Sequence, residues 1–397
     1  MFMSSCYRFI PVEKVFHGAG VIENLPAEID RLGARKAALL TSNSLFASPV
    51  IKRLEQLLGS RLEVVLSGTV QHAPSQSIFE IASRLRDRGI DLLISLGGGT
   101  VIDSAKAIAL VLGEGLDEPQ QLQSYSVKFE YPDKIEIPQV KQKLIPHIAV
   151  PTTLSAAEFS NIIGITDEHR KVKELYIDDQ LTPKVVYMDP ELCTDTPDWL
   201  WSATGMRALD HAIETVYSKQ THPITTALAL QSIRLLSEYL PKCKKDPADL
   251  QAKLQCQMAA WMSFFGVSNV MMGLSHGIGH QIGAHANVAH GVTSCIMLPH
   301  VMRFSLPFTL EQQALISAAM GGEVSGRSVE EAAAMASQLV VKLVADLQLP
   351  LRLRDVQVRK EQFQPIAEDA MRDLVVASSP RPVQGTGEIV ALLEAAW

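Results

Sequence analysis

A chain of 397 residues, 47% hydrophobic and 20% charged, holds enough apolar mass for two buried cores and too little charge for disorder. Its formal net charge of −7 gives no electrostatic footing on nucleic acid. Five scattered cysteines without a C-x-x-C pair fit free thiols in a reducing compartment. Residues 1–14 carry no secretory apolar region, and the longest apolar runs, such as 105–112, are too short to span a bilayer. The expectation is a soluble cytoplasmic protein with no nucleic-acid and no membrane partner.

In chain order, residues 21–32 are amphipathic and 36–41 read as a buried strand. Residues 62–66 are a second strand. Over 77–87, Ile78, Ile81, Ala82 and Leu85 are spaced as on a helix. Residues 91–96 form a continuous apolar strand that runs into Gly97, Gly98 and Gly99, and 104–112 are helical. Residues 145–151 are another strand. Apolar strands alternating with helices predict a parallel sheet covered on both faces. Residues 113–143, polar and bearing Pro119, Pro132 and Pro138, read as a solvated loop excursion. Past about Pro190 strand signals stop. Residues 199–218, 225–239, 249–265, 309–320, 328–347 and 360–376 carry helical periodicity. The predicted fold class is an α/β domain with a parallel sheet over 1–189, then an all-helical domain over 190–397.

Two polar turns stand at strand ends. Gly97-Gly98-Gly99-Thr100 leaves a buried strand and opens a helix. Glycines let a phosphate approach the backbone, and the first-turn N–H groups with the helix dipole favour an anion. The natural ligand is a pyrophosphate, although the spacing is not G-x-G-x-x-G. The second turn carries Thr152, Thr153 and Ser155. Its hydroxyls suit phosphate, ribose or nicotinamide contacts and suit capping of the next helix equally.

Four histidines form the most informative pattern. His276 and His280 are one helical turn apart, and His290 follows a loop-like segment over 283–289. His211 lies upstream, in Ala208-Leu209-Asp210-His211-Ala212-Ile213-Glu214. Imidazoles grouped this way bind a divalent metal, move a proton, or do both. Asp210 should lie about 100° around the helix from His211 and is expected at the surface or a domain interface. His285 and His300 are given no catalytic role.

Taken together, these segments resemble the iron-containing (group III) alcohol dehydrogenase family. Gly97 through Lys106 resembles its G-G-G-S/T-x-x-D-x-A-K motif, and Thr152-Thr153 with Glu158 its T-T-x-x-x-x-E segment. Residues 203–214 resemble A-T-G-M-D-A-L-x-H-A-x-E. Residues 273–291 resemble G-x-x-H-x-x-x-H…H-G, and Leu298-Pro299-His300 resembles the motif that follows. Val15-Phe16-His17-Gly18-Ala19-Gly20 and Pro380-Arg381-Pro382 look like the family's maleylacetate reductase branch. The resemblance implies a dehydroquinate synthase-like architecture, with nicotinamide and substrate between an α/β nucleotide-binding domain and a helical metal and substrate domain. Hydride would pass between nicotinamide C4 and an alcohol carbon or carbonyl. The implied cofactor contacts are Ser42, Gly97, Gly98, Gly99, Thr100, Asp103, Lys106, Thr152, Thr153 and Ser155; Lys173 is a further candidate, which a solvated charge run from His169 to Lys173 explains equally well. His280 matches the family's non-ligand histidine beside the nicotinamide and is expected to relay a proton or orient a substrate. The expected partners are a small-molecule substrate and a second copy of the chain, as a dimer.

One departure matters most. The family's metal site takes one Asp and three His; here the histidine positions are His211, His276 and His290, and the Asp position is Arg207. A guanidinium is no ligand, and its charge would oppose a dication. Two readings stay open. Either the histidines hold Zn²⁺ or Fe²⁺ while Arg207 snorkels away, giving a metal-dependent alcohol dehydrogenase, or Arg207 replaces the metal as electrophile. The second is put first, as an NAD(P)-dependent reductase of a carboxylate-bearing keto acid. A lyase of the dehydroquinate synthase type ranks below both. The Thr41-Ser42-Asn43-Ser44 turn has no carboxylate to repel a 2′-phosphate, so NAD and NADP both stay open.

Overall fold

A computed structural model describes residues 6–70, 73–130, 134–168, 170 and 172–397. Residues 1–5 of the N-terminal stretch, Pro132, and the His169 and Lys171 of a charge run lie outside the described residues. The chain separates into two compact units, one of Ile10–Lys128 with Ile135–Asp195, the other chiefly Thr196–Trp397.

The first unit holds strands β1 (Lys14–His17), β2 (Ala37–Thr41), β3 (Leu62–Leu66), β4 (Leu92–Gly97), β7 (His147–Pro151), β8 (Ile162–Asp167), β9 (Val172–Ile177) and β10 (Val185–Met188), and the short β5 (Lys128–Glu130) and β6 (Lys134–Glu136) are divided between the units, Phe129, Glu130 and Lys134 counting with the second. Its helices are α1 (Leu25–Arg31), α2 (Asn43–Phe46), α3 (Pro49–Leu58), α4 (Ser75–Leu85) and α5 (Gly99–Gly113). Six strands form a parallel sheet in the order β1-β10-β7-β4-β2-β3. Side chains of β2 divide between its faces. Ala38 and Leu40 pack with α4 and α5, whereas Ala37 and Leu39 pack with α1 and α3. Strands covered on both sides can be apolar at every position, which is why β2, β4 and β7 are buried throughout.

The second unit is helical: α6 (Asp198–Tyr217), α7 (Pro223–Lys245), α8 (Leu250–Phe264), α9 (Leu274–Ala286), α10 (His290–Ser305), α11 (Leu310–Ala319), α12 (Val329–Asp346), α13 (Phe363–Ala370), α14 (Leu374–Ala377) and α15 (Thr386–Ala395). None of the helices described is long and apolar enough to cross a membrane. All five cysteines are free thiols.

The structure corrects the sequence reading in several places. Residues 113–143 are not all loop, since β5 and β6 pair there. β8 and β9 form an unexpected antiparallel ribbon. The segment 283–289 is helical as far as Ala286; Asn287, in the left-handed conformation at φ 55°, ends α9 by donating its N–H to Gly283 O. Residues 360–376 are not one helix. The chain breaks between α13 and α14, where Asp373 turns extended and its side chain caps Val375 N.

Candidate functional site

Because β2, β4 and β7 are adjacent and parallel, the turns that leave their carboxyl ends lie side by side. They are the turn at Ser42, the glycine turn and the hydroxyl turn. Gly97 O accepts Thr152 N at 2.9 Å, which joins the last two. A Cβ on Gly98 would lie 3.1 Å from Thr153, and one on Gly99 would lie 3.0 Å from Ser155 Oγ. The two glycines therefore admit the hydroxyls of the neighbouring turn against their backbone. Helix α5 begins there with neither a side-chain cap nor an acidic residue in its first turn, so the dipole at that end suits an anion. Ser42 caps α2 by accepting Leu45 N and meets Ser44 Oγ at 2.9 Å. Thr100 lies in the first turn of α5, and Lys173 on β9 is near enough to lower the pKa of Asp103.

Lys106 has a different task from the expected one. It is fully buried, and its ammonium donates to Ala157 O at 2.7 Å, Ser160 O at 2.8 Å and Ile162 O at 3.3 Å. All three N–H bonds are spent on the segment after β7, so Lys106 pins that segment to α5 and leaves nothing to donate to a cofactor. Asp103 lies 3.6 Å from its Nζ. Glu158 is buried alongside. Burial pushes its carboxyl up to about 7 from an ordinary 4.5, although its own backbone N–H and Lys106 pull the other way. A folded pKa above the unfolded one stabilises fully below about 4.5, and the contribution is lost as pH rises through about 7. Glu158→Gln is therefore expected to flatten the fall of the thermal midpoint between about pH 5 and 8. A curve parallel to the wild type's would clear Glu158 of that role.

The histidines gather in the second unit. His211 comes from α6, His276 and His280 from α9, and His290 opens α10. Ring centroids are 4.9 Å apart for His211 and His276, 6.5 Å for His276 and His280, and 5.8 Å for His280 and His290. The helices meet closely because Gly291 has no side chain: a Cβ there would fall 2.3 Å from Ala203 O of α6. Outside the cluster, His285 pairs with Asp369 in an exposed position. His300 lines a separate cavity of about 440 Å³ with Arg303 and Arg381.

Arg207 does not snorkel outward. Its side chain is 12% exposed; Nη1 donates to Ser294 Oγ at 3.2 Å and lies 3.9 Å from Asp210 Oδ2. Asp210 in turn is fully buried and accepts Ser275 Oγ at 2.8 Å, which rules out the surface, one of its two expected places. Burial pushes the carboxyls of Asp210 and Glu214 up, and Arg207 draws both down. His211 and His276 are driven well below the usual imidazole range by burial, and the charges of Arg207 and His280 add to that. The cluster thus keeps two neutral imidazoles beside one fixed guanidinium.

Do these residues fit the family's metal? Ligands about 2.1 Å from a tetrahedral ion stand about 3.4 Å from one another. Among the described residues, one trio alone has potential ligand atoms all within 4.8 Å of each other, and it is Asp210, Glu214 and His276, not the three histidines. That trio is spent on internal bonds. Glu214 accepts Gly273 N at 2.6 Å, Ser275 N at 2.8 Å and His276 Nδ1 at 2.7 Å. With Arg207 alongside, the donor set does not fit a dication. The hydrogen bond to Glu214 places the His276 proton on Nδ1 and leaves Nε2, buried and without a hydrogen-bond partner among the described residues, as an acceptor.

Sequence reasoning gave Glu214 and Asp373 no role. Glu214 had a signal, three residues beyond His211 on one helix face. Asp373 had none, being 93 residues from the His280 it touches.

Comparison with known proteins shows the family. The family model for iron-containing alcohol dehydrogenase matches residues 12–190, and that for the C-terminal part of the Fe-containing alcohol dehydrogenase family matches residues 201–397. The chain is 31% identical to NAD-dependent methanol dehydrogenase of Bacillus methanolicus, over 96% of this chain and 98% of that protein. It is 32% identical to maleylacetate reductase 2 of Cupriavidus pinatubonensis, over 80% and 79%. Among solved structures, a 1,3-propanediol oxidoreductase superposes with a TM-score of 0.90 at 28% identity, covering 99% of this chain and all of that one.

Proposed function

We propose that this chain, which belongs to the iron-containing alcohol dehydrogenase family and is an oxidoreductase of CH–OH groups and the carbonyls they yield, reduces a carboxylate-bearing carbonyl compound with NAD(P)H. The observation that carries this reading is Arg207, buried among the histidines where the family places a ligand Asp. Family membership is consistent with NAD and a divalent metal. The residues of this chain suit the first and, around Arg207, oppose the second.

The turns at Ser42, Gly97–Thr100 and Thr152–Ser155 would hold the cofactor, with the first turn of α5 suited to its pyrophosphate. Nicotinamide C4 supplies the hydride when the cofactor is bound. Arg207 polarises the substrate carbonyl or clamps its carboxylate, held in place by Asp210 and Ser294. His280 gives a proton to the carbonyl oxygen as the hydride arrives at carbon. Substrate and cofactor are the partners assigned; a dimer remains the expected assembly, and the cytoplasm the expected compartment.

The test is a panel assay. NADH and NADPH are offered in turn with maleylacetate, a simple 2-keto acid, lactaldehyde and a neutral aliphatic aldehyde. The expected result is oxidation of one or both cofactors with the highest kcat/KM on a carboxylate-bearing member. Equal or better use of the neutral aldehyde would remove the carboxylate from the proposal, and no turnover with any member would overturn it.

A further inference from the structure

The geometry points to Asp373 as the residue that positions His280, so that the two act as a carboxylate–imidazole dyad in the reduction. This inference rests on the function proposed above. His280 Nδ1 lies 2.9 Å from Asp373 Oδ2, and the Asp373 side chain is 9% exposed. The same oxygen accepts Gln281 Nε2 at 3.2 Å, while Oδ1 accepts Val375 N at 3.1 Å.

Capping α14 explains only half of Asp373. The cap uses Oδ1, and Asn would serve there as well. The second oxygen is aimed at an imidazole flanked by the rings of His276 and His290. The His285–Asp369 pair shows the contrast. It has a similar length, 2.8 Å, but its Asp is 42% exposed, and such pairs contribute little. Although burial pushes the Asp373 carboxyl up, the charge of His280 and the bonds from His280, Val375 N and Gln281 bring it below the usual value. Asp373 is therefore a carboxylate, and its bond fixes the proton on Nδ1. Nε2, on the opposite side of the ring, is the atom left for the substrate.

In the reaction the substrate carbonyl carbon takes the hydride, and the π pair of its C=O moves to oxygen. That oxygen forms its O–H bond with the proton from Nε2 of the His280 imidazolium, and the N–H bond breaks. His280 ends as the neutral Nδ1–H tautomer, still bonded to Asp373, and is reprotonated from water. Asp373 stabilises the imidazolium and never takes the proton.

The experiment uses full-length protein with the panel member and cofactor that the wild type turns over fastest. Asp373→Asn keeps the helix cap. It is expected to slow the chemical step in single turnover by about 10–100-fold with KM within about twofold. Asp373→Glu is expected to recover part of the loss. His280→Gln should slow the step at least as far, and the double variant no further, because the residues act as one unit. A wild-type rate in Asp373→Asn, or losses that multiply in the double variant, would overturn the dyad. A second readout needs no turnover: ¹⁵N NMR of the ligand-free protein should show the neutral His280 as the Nδ1–H tautomer, and Asp373→Asn should shift it toward a mixture. A wild-type His280 in the Nε2–H tautomer would also overturn the dyad. Absence of wild-type turnover with every panel member would count against the proposed function, and the tautomer would still decide the dyad.

Discussion

Arg207→Lys is expected to cut kcat/KM on the preferred carboxylate-bearing substrate by about 10²–10³-fold, the usual loss when a preorganised donor to developing charge is removed. Lysine keeps one positive charge beside Asp210, so the buried acid stays compensated and the fold is retained. What is lost is the planar fork. One arm of Arg207 is tied to Ser294 Oγ at 3.2 Å, and this fixes the plane that the other arm presents. The compact, rotatable ammonium cannot hold Ser294 and a carboxylate together in that plane. Arg207→Ala is a poorer probe, because it leaves the buried Asp210 beside the buried Glu214 without their cation and is expected to unfold much of the protein. Steady-state kinetics with thermal unfolding as control separates the two effects. A Lys variant as fast as the wild type would show that Arg207 serves structure alone.

Lys106→Met should be the most destabilising single change in the first unit. It strips the acceptors Ala157 O, Ser160 O and Ile162 O of their donor and leaves Asp103 and Glu158 without the cation between them. Breaking a buried ion pair from one side costs about 3–5 kcal/mol. For a unit of this size that lowers the thermal midpoint by on the order of 10 °C. Because Lys106 ties the segment after β7 to the helix of the glycine turn, cofactor affinity should fall with stability. Differential scanning calorimetry with and without NADH measures both. A midpoint within about 2 °C of the wild type's would contradict the assigned pin.

What the sequence could and could not disclose follows from the range of each interaction. Strands β2, β4 and β7 are buried on both faces, so their composition announces them. Strand β1 at the sheet edge and the ribbon β8–β9 are half exposed, and their mixed composition hides them. The glycine turn and the histidines follow local spacing and are legible in the chain. Lys106 matched a motif, but only the structure shows that its three donors are consumed within the protein. Asp210 could not be placed because helical angle alone says nothing of what packs on that face; Ser275 and Arg207 do. Asp373 needed a helix break and a contact across 93 residues, neither of which leaves a local mark.

In the proposed function Arg207 stands in place of the family's metal. The direct measurement is carbonyl reduction by protein whose metal content is determined by elemental analysis, before and after chelator treatment and after adding back Fe²⁺ or Zn²⁺. The expected result is the same kcat/KM in all three states, with metal far below one atom per chain before any ion is added. Loss of activity with the chelator and its return with either ion would contradict it.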